Sequence, residues 1–211
     1  MKSTRQIVYT LYLSFFTCIT LQSQDILESN PDNWEVVNRE VIFENGVVHL
    51  NAQEGDGILW LKDHAFKDGT IALDIKGKNT PGRSFVGFAF HGLDNTTYDA
   101  VYFRPFNFKN PSKKSNSVQY ISEPEYGWYT LRNKFPGTYE GAMEPLPKDV
   151  EDWFHVKIIV EHPKVKVYIN SSENPVLVVD QLSDRKKGNL GFWVGNNSKG
   201  WFRNLTIREK K

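Results

Sequence analysis

The chain has one cysteine in 211 residues, and that residue, Cys18, falls within the first two dozen positions. Without that segment no thiol is left, which excludes disulfides, thiolate metal sites and cysteine nucleophiles. Basic runs are absent as well. The formal net charge is +1 and nothing exceeds short pairs such as Lys113-Lys114 and Lys186-Lys187, so the electrostatic footprint of a nucleic-acid binder is missing. The five histidines show no H-E-x-x-H or comparable spacing, which argues against zinc and gives no metal ligand to name. No cofactor is expected, and a structural calcium stays open, since oxygens gathered from separate loops can hold one without any linear motif. No period of fixed length recurs, which disfavours propellers and solenoids. The one long apolar run, Ile7 to Leu21, is shorter than the roughly 20 residues a bilayer-spanning helix needs.

That run has another reading. Lys2 and Arg5 precede it and polar Gln22-Ser23-Gln24-Asp25 follows, the layout of a secretory signal peptide over residues 1–24, with removal near Ser23 or Gln24. A lipobox has a small residue just before its cysteine and an aliphatic one three before; here Phe15-Phe16-Thr17 precede Cys18. Soluble export to the periplasm or the extracellular space, with no membrane association after leader removal, is therefore favoured over lipid anchoring at Cys18. Loss of Lys2 and Arg5 from the 26 basic residues leaves the mature chain close to neutral against its 25 acidic ones.

What remains, residues 25–211, reads as a single domain. An aromatic content of 14%, with 15 glycines and 10 prolines, suits strands and turns better than a helical bundle. Short β candidates follow one another from Trp34. Asn45-Gly46 between two of them is a hairpin signal, and Thr70 to Lys76 alternates, with Ile71, Leu73 and Ile75 on one face. His162-Pro163 marks another hairpin turn. The irregular region Ser122 to Asp152 contains Pro124, Pro136, Pro145 and Pro147, which forbid a long strand and make a structured loop, with a short helix expected around Trp128 to Lys134. Roughly a dozen strands without alternating helices predict an all-β fold of two packed antiparallel sheets.

As a set, Trp34, the GTIALDIKG strand, the WFHVKIIVEHPKVKVYIN hairpin and the closing GNLGFWVGNNSKGWFRNLTI resemble the concanavalin A-like lectin and glucanase superfamily of jelly-roll sandwiches, which includes laminin G-like domains. Within it the chain is most similar to secreted bacterial domains of the 3-keto-disaccharide hydrolase type. The resemblance implies a jelly roll and a carbohydrate or glycoside ligand. It covers lectins, hydrolases and adhesion modules alike, so it implies no single activity. Laminarinase-type members carry E-x-D-x-E on one strand, which puts nucleophile, helper and acid on one face. Here Glu54-Gly55-Asp56 supplies the first two elements and the next acid is Asp63. The ordinary retaining mechanism is not expected.

The stretch from Arg83 to Tyr120 holds the candidate site. With Phe85 to His91 as a strand, Val86, Phe88 and Phe90 point into the core, while Gly87, Ala89 and His91 point the other way and leave space above the sheet. With Tyr98 to Phe106 alongside, Ala100, Tyr102 and Arg104 share that face, and Gln119 joins from the next strand. His91, Tyr102, Arg104 and Gln119 thus form a candidate sugar-binding constellation on the concave sheet face. Tyr126 and Trp128 from the proline-rich region are expected to close over it, and Trp193 between Gly191 and Gly195 to serve as a stacking platform. Planar Arg and Gln side chains suit hydroxyls, and aromatic rings suit the C–H faces of sugars. Trp34, Trp60, Trp153 and Trp201 are assigned to core or sheet packing.

Two functions stay open at this level. One is a secreted carbohydrate-binding protein. The other is a glycoside-acting hydrolase or lyase, for which His91 and Glu123 are the catalytic candidates and Glu125, Glu140 and Glu144 further acids or bases. A laminin G-like protein-binding module is a third, with no linker or second domain to support it.

Overall fold

The structure is a computed structural model and describes residues 24–25 and 30–210. The expected leader lies outside the described residues except for Gln24. Its strands are β1 (Gln24–Asp25), β2 (Trp34–Val37), β3 (Val41–Glu44), β4 (Val47–Leu50), β5 (Gly57–Phe66), β6 (Gly69–Lys76), β7 (Val86–Gly92) and β8 (Asp99–Phe103). They continue with β9 (Val118–Ser122), β10 (Glu140–Gly141), β11 (Phe154–Glu161), β12 (Lys164–Ile169), β13 (Leu177–Asp180), β14 (Gly188–Val194) and β15 (Gly200–Glu209). One short helix, α1 (Trp128–Lys134), lies where the sequence predicts it. Among the described residues no helix is long and apolar enough to cross a membrane.

The strands form two antiparallel sheets. One runs β13, β12, β11, β6, β15, β4, β3, with β1 beside β15; the other runs β10, β9, β8, β7, β14, β5, β2. This is the two-sheet jelly-roll sandwich that the strand spacing predicts. In β6 and β11 burial alternates along the strand, so Ile71, Leu73 and Ile75 face the second sheet as expected, as do Phe154, Val156 and Ile158. The β3–β4 turn has Asn45 at φ 51° and Gly46 at φ 73°, the pair of left-handed residues that a two-residue hairpin needs. The strand expected to reach Phe106 stops at Phe103, because Pro105 has no N–H to give a ladder and instead opens a 3₁₀ turn, Pro105–Asn107.

Aromatic rings join the layers. Phe192 of β14 stacks on Phe202 of β15 at 4.7 Å and on Trp34 at 5.1 Å, while Phe88 meets it edge-on at 5.6 Å. Phe103 of β8 meets Phe154 of β11 at 5.1 Å. Val86, Phe88, Phe90, Val101 and Phe103 all face this core, as the alternation predicts. One feature departs from a half-exposed sheet: every residue of β7, β8 and β9 is buried, so the centre of the seven-stranded sheet is covered on both faces.

Candidate functional site

The cover on the outer face is built from the chain's own rings. Two rows cross that face. Gly191, Ala89 and Ala100 lie side by side in the first; Trp193, Gly87, Tyr102 and Gln119 follow one another in the second. Gly87 stands between Trp193 and Tyr102 with no side chain, so the two rings close over it to a centroid distance of 4.9 Å. A Cβ at Gly87 would fall 2.6 Å from that of Tyr102. Trp193 Nε1 donates to the Tyr98 hydroxyl at 3.0 Å, Trp60 meets Tyr98 edge-on at 6.1 Å, and Trp60 Nε1 donates to Asn95 Oδ1 at 2.9 Å. The space predicted above Gly87 and Ala89 therefore exists in the backbone and is filled by Trp60, Tyr98, Tyr102 and Trp193. Trp193, 3% exposed, is part of this layer and not a free platform.

At one end the layer continues into cations. Arg104 is 4% exposed. Its Nη1 donates to the Asn116 carbonyl at 2.8 Å, and its Nη2 donates to the Tyr102 hydroxyl and, at 3.3 Å, to Gln119 Oε1. The guanidinium lies 4.8 Å from the Tyr102 centroid and 5.9 Å from that of Phe85, within the range of cation–π attraction. Gln119 is oriented by two donations from Nε2, to the carbonyls of Tyr120 and Tyr139. Tyr102, Arg104 and Gln119 are thus brought together as expected. Of the three, Arg104 lines a cleft of about 380 Å³ whose walls also include Phe85, Phe106, Asn107 and Trp128.

At the other end are two carboxylates. The Tyr98 hydroxyl donates to Asp56 Oδ2 at 3.3 Å, and the Glu123 amide donates to the Tyr98 carbonyl at 2.8 Å, which sets Glu123 beside Tyr98. Burial pushes the Glu123 carboxyl up to about 6, and the negative charge of Asp56 adds to the shift. Asp56 keeps contact with water, yet the protein packed around it raises its carboxyl too, against the Tyr98 hydrogen bond and the Arg39 charge. A Cβ on Gly127 would lie 2.9 Å from Glu123 Oε1, so the acid packs on the residue before Trp128. The acid and the exposed ring therefore flank one glycine. Glu123 also borders a cleft of about 560 Å³ with Thr97, Tyr126, Ser183 and Arg185.

A carboxyl raised in the folded state binds its proton more tightly there than in the unfolded chain. Its effect on stability therefore turns unfavourable as pH rises from about 4.5 to about 6. Glu123→Gln is expected to raise the melting temperature at pH 7 and to flatten its pH dependence across that window. Thermal melts of both proteins at pH 4.5, 6 and 7 check this, and a lower melting temperature for the variant at pH 7 would contradict it.

His91 is not at this site. Its φ of +50° breaks the strand alternation, next to an irregularity in the β7–β14 register at Asn189/Gly191, and turns the ring toward the other sheet. It is fully buried. Its Nε2 donates to the Lys67 carbonyl at 2.7 Å, and its Nδ1 accepts from Gln181 Nε2 at 3.0 Å. With both ring nitrogens engaged, His91 has none to offer a ligand on the outer face. The other expected acids are also accounted for. Glu140 is bound by Arg132 at 2.7 Å, and although burial works against it, that contact holds its carboxyl below the usual range. Glu125 and Glu144 are exposed. Tyr126 is half-buried, and Trp128 is 47% exposed at the cleft mouth.

Phe85 and Arg132, which line the cleft, and Asp56, whose charge acts on Glu123, are residues that the sequence reading did not select. A signal existed only for Asp56, an acid at the entrance of the GILWLK strand. Among the described residues no group of three or more His, Cys, Asp and Glu side chains comes together as a metal site.

Comparisons with known proteins bear on this arrangement. The model of the 3-keto-alpha-glucoside-1,2-lyase-like domain matches residues 24–208. No curated protein matches the chain. Among solved structures, the carbohydrate-binding module CBM66 from Bacillus subtilis superposes with a TM-score of 0.62 at 19% identity, over 84% of this chain and 96% of that one. A putative glycosyl hydrolase from Parabacteroides distasonis gives 0.55 at 13% identity, over 85% and 89%. The exoplasmic/lumenal domain of VIP36, in a Ca²⁺/Man3GlcNAc-bound form, gives 0.58 at 12% identity, over 85% and 84%. At these identities the likeness speaks to the fold, which is that of the concanavalin A-like sandwiches.

Proposed function

Because the chain belongs to the 3-keto-alpha-glucoside-1,2-lyase-like domain family, we propose that it binds a glycan or glycoside at the outer face of the seven-stranded sheet. The observation that carries this is the cleft where Trp128 stands 47% exposed beside Arg104, Phe85 and the amide of Asn107. An exposed ring offers a face for sugar C–H groups, while planar amide and guanidinium groups offer paired donors for hydroxyls. The carbohydrate-binding module and the oligosaccharide-bound domain that share the fold support the same reading. The basic and then apolar start of the chain supports export to the periplasm or beyond.

Calorimetric titration with a panel of neutral and charged oligosaccharides, glycosides and 3-keto glycosides tests it. Trp128→Ala is expected to weaken binding of the best ligand by about tenfold or more, as truncation of an aromatic anchor commonly does. Equal affinity of the two proteins would remove the cleft from the reading. No binding of any sugar at millimolar concentration would remove the reading itself.

The Asp56–Glu123 pair favours a second reading, catalysis on a 3-keto glycoside. A ketone at C3 acidifies the C2 proton. Glu123, ionised above about pH 6, takes that proton, the electron pair forms the C1=C2 double bond, and the C1–O bond breaks. The departing oxygen then takes a proton from water, while the charge of Asp56 beside the base keeps the Glu123 carboxyl raised. No oxidant or reductant is consumed.

A further inference from the structure

The cleft beside Trp128 is lined by three cations, Arg104, Lys113 and Arg132, and by no carboxylate. Their charges are unequally answered. Arg132 is held by Glu140, which lies outside the cleft wall, and its guanidinium sits 5.2 Å from the Trp128 centroid. Lys113 is exposed and forms no ion pair among the described residues. Arg104 is almost fully buried, yet its hydrogen-bond partners are all neutral: a carbonyl, a phenol and an amide. Glu140 favours its charge from a distance but is already hydrogen-bonded to Arg132, so the cations of this wall share one carboxylate, and a buried guanidinium gains from a further negative charge. The wall also holds Asn107, 3% exposed, whose Oδ1 has no donor.

Across the aromatic layer the sign reverses, since Asp56 and Glu123 stand at the other end. A negatively charged ligand group is attracted at the first end and repelled at the second.

We propose that the cleft selects sugars bearing an anionic substituent, a carboxylate or a sulfate, over their neutral counterparts, with that group facing Arg104, Lys113 and Arg132. The inference rests on the glycan-binding reading and specifies its ligand. Arginine presents a planar fork of donors that matches both groups, and hydrogen bonds between charged partners are shorter and stronger than neutral ones.

The test uses three oligosaccharides of matched length and linkage: a galacturonic acid series, a sulfated galactose series and a neutral galactose series. At least one charged series is expected to bind roughly tenfold or more tighter than the neutral one, the scale of one added charge-assisted hydrogen bond. The tighter of the two identifies the group. The preference is expected to shrink in Lys113→Gln, whose exposed position leaves the fold intact, and to fall when salt is raised from 0.05 to about 0.5 M. Neutral ligand bound as tightly as both charged ones overturns the inference and leaves the glycan-binding reading standing. Absence of binding in all three series overturns the inference, and absence across the whole panel of sugars overturns the glycan-binding reading with it.

Discussion

Glu123→Gln is expected to lower kcat on a 3-keto glycoside by about a hundredfold to ten-thousandfold, the usual contribution of a positioned general base. Glutamine keeps the size and planarity of the side chain, so the packing against Gly127 survives and the substitution removes the titrating oxygen alone. In the wild-type protein the rate is expected to rise with pH through an inflection near 6, where the carboxyl loses its proton. Asp56→Asn removes the repelling charge and is expected to move that inflection to lower pH. Release of the departing alcohol from a 3-keto glucoside, measured between pH 4 and 8 for the three proteins, checks both effects. Unchanged kcat in Glu123→Gln, with turnover present, would exclude Glu123 as the base. A melting temperature at or above that of wild type in the same variant excludes unfolding as the cause of a rate loss.

Asp99→Ala is expected to cost about 3–5 kcal/mol of stability, the typical result of stripping one partner from a buried charge pair. Asp99 is fully buried in β8 and gathers the segment after β13. Arg185 Nη2 donates to it at 2.7 Å, Gln181 Nε2 at 3.0 Å and Ser183 Oγ at 3.0 Å. Alanine leaves Arg185 without a counter-ion and Gln181 without one of its acceptors, and Gln181 in turn holds His91. Burial alone would raise the Asp99 carboxyl, but its contacts with Ser122 and Gln181 and the charge of Arg185 work against it, and the group is held below its usual range. A depressed carboxyl contributes stability above about pH 4 and loses it as pH falls through the lower folded value. The sign is opposite to that at Glu123. Urea unfolding of wild type, Asp99→Ala and Asp99→Asn at pH 7 and pH 3 is the measurement. A cost below about 1 kcal/mol for the alanine variant would mean that the cluster does not fasten the segment.

His91 and Asp99 also show where sequence patterning stops. The hairpin at Asn45-Gly46, the alternation of β6, the helix at Trp128 and the inward face of Phe88 and Phe90 were all legible, because each depends on neighbours a few residues apart. His91 was assigned to the wrong side because strict alternation assumes extended backbone throughout, and one residue at φ +50° reverses the count. Gly87 and Ala89 correctly signalled a hollow. The rings that fill it come from positions 60, 98, 102 and 193, and no local pattern states that these four meet. The pairing of Asp56 with Glu123 was hidden for the same reason. It depends on Tyr98 bridging a strand entrance to a loop 67 positions further along the chain.

The last strand, β15, belongs to the eight-stranded sheet, and its end is tied back by Lys210 N donating to the Asp68 carbonyl at 2.9 Å. A C-terminal affinity tag therefore leaves from the layer opposite the aromatic face. Capture on a sensor chip through such a tag would place the attachment point on the sheet that does not carry Trp128 and the cationic cleft.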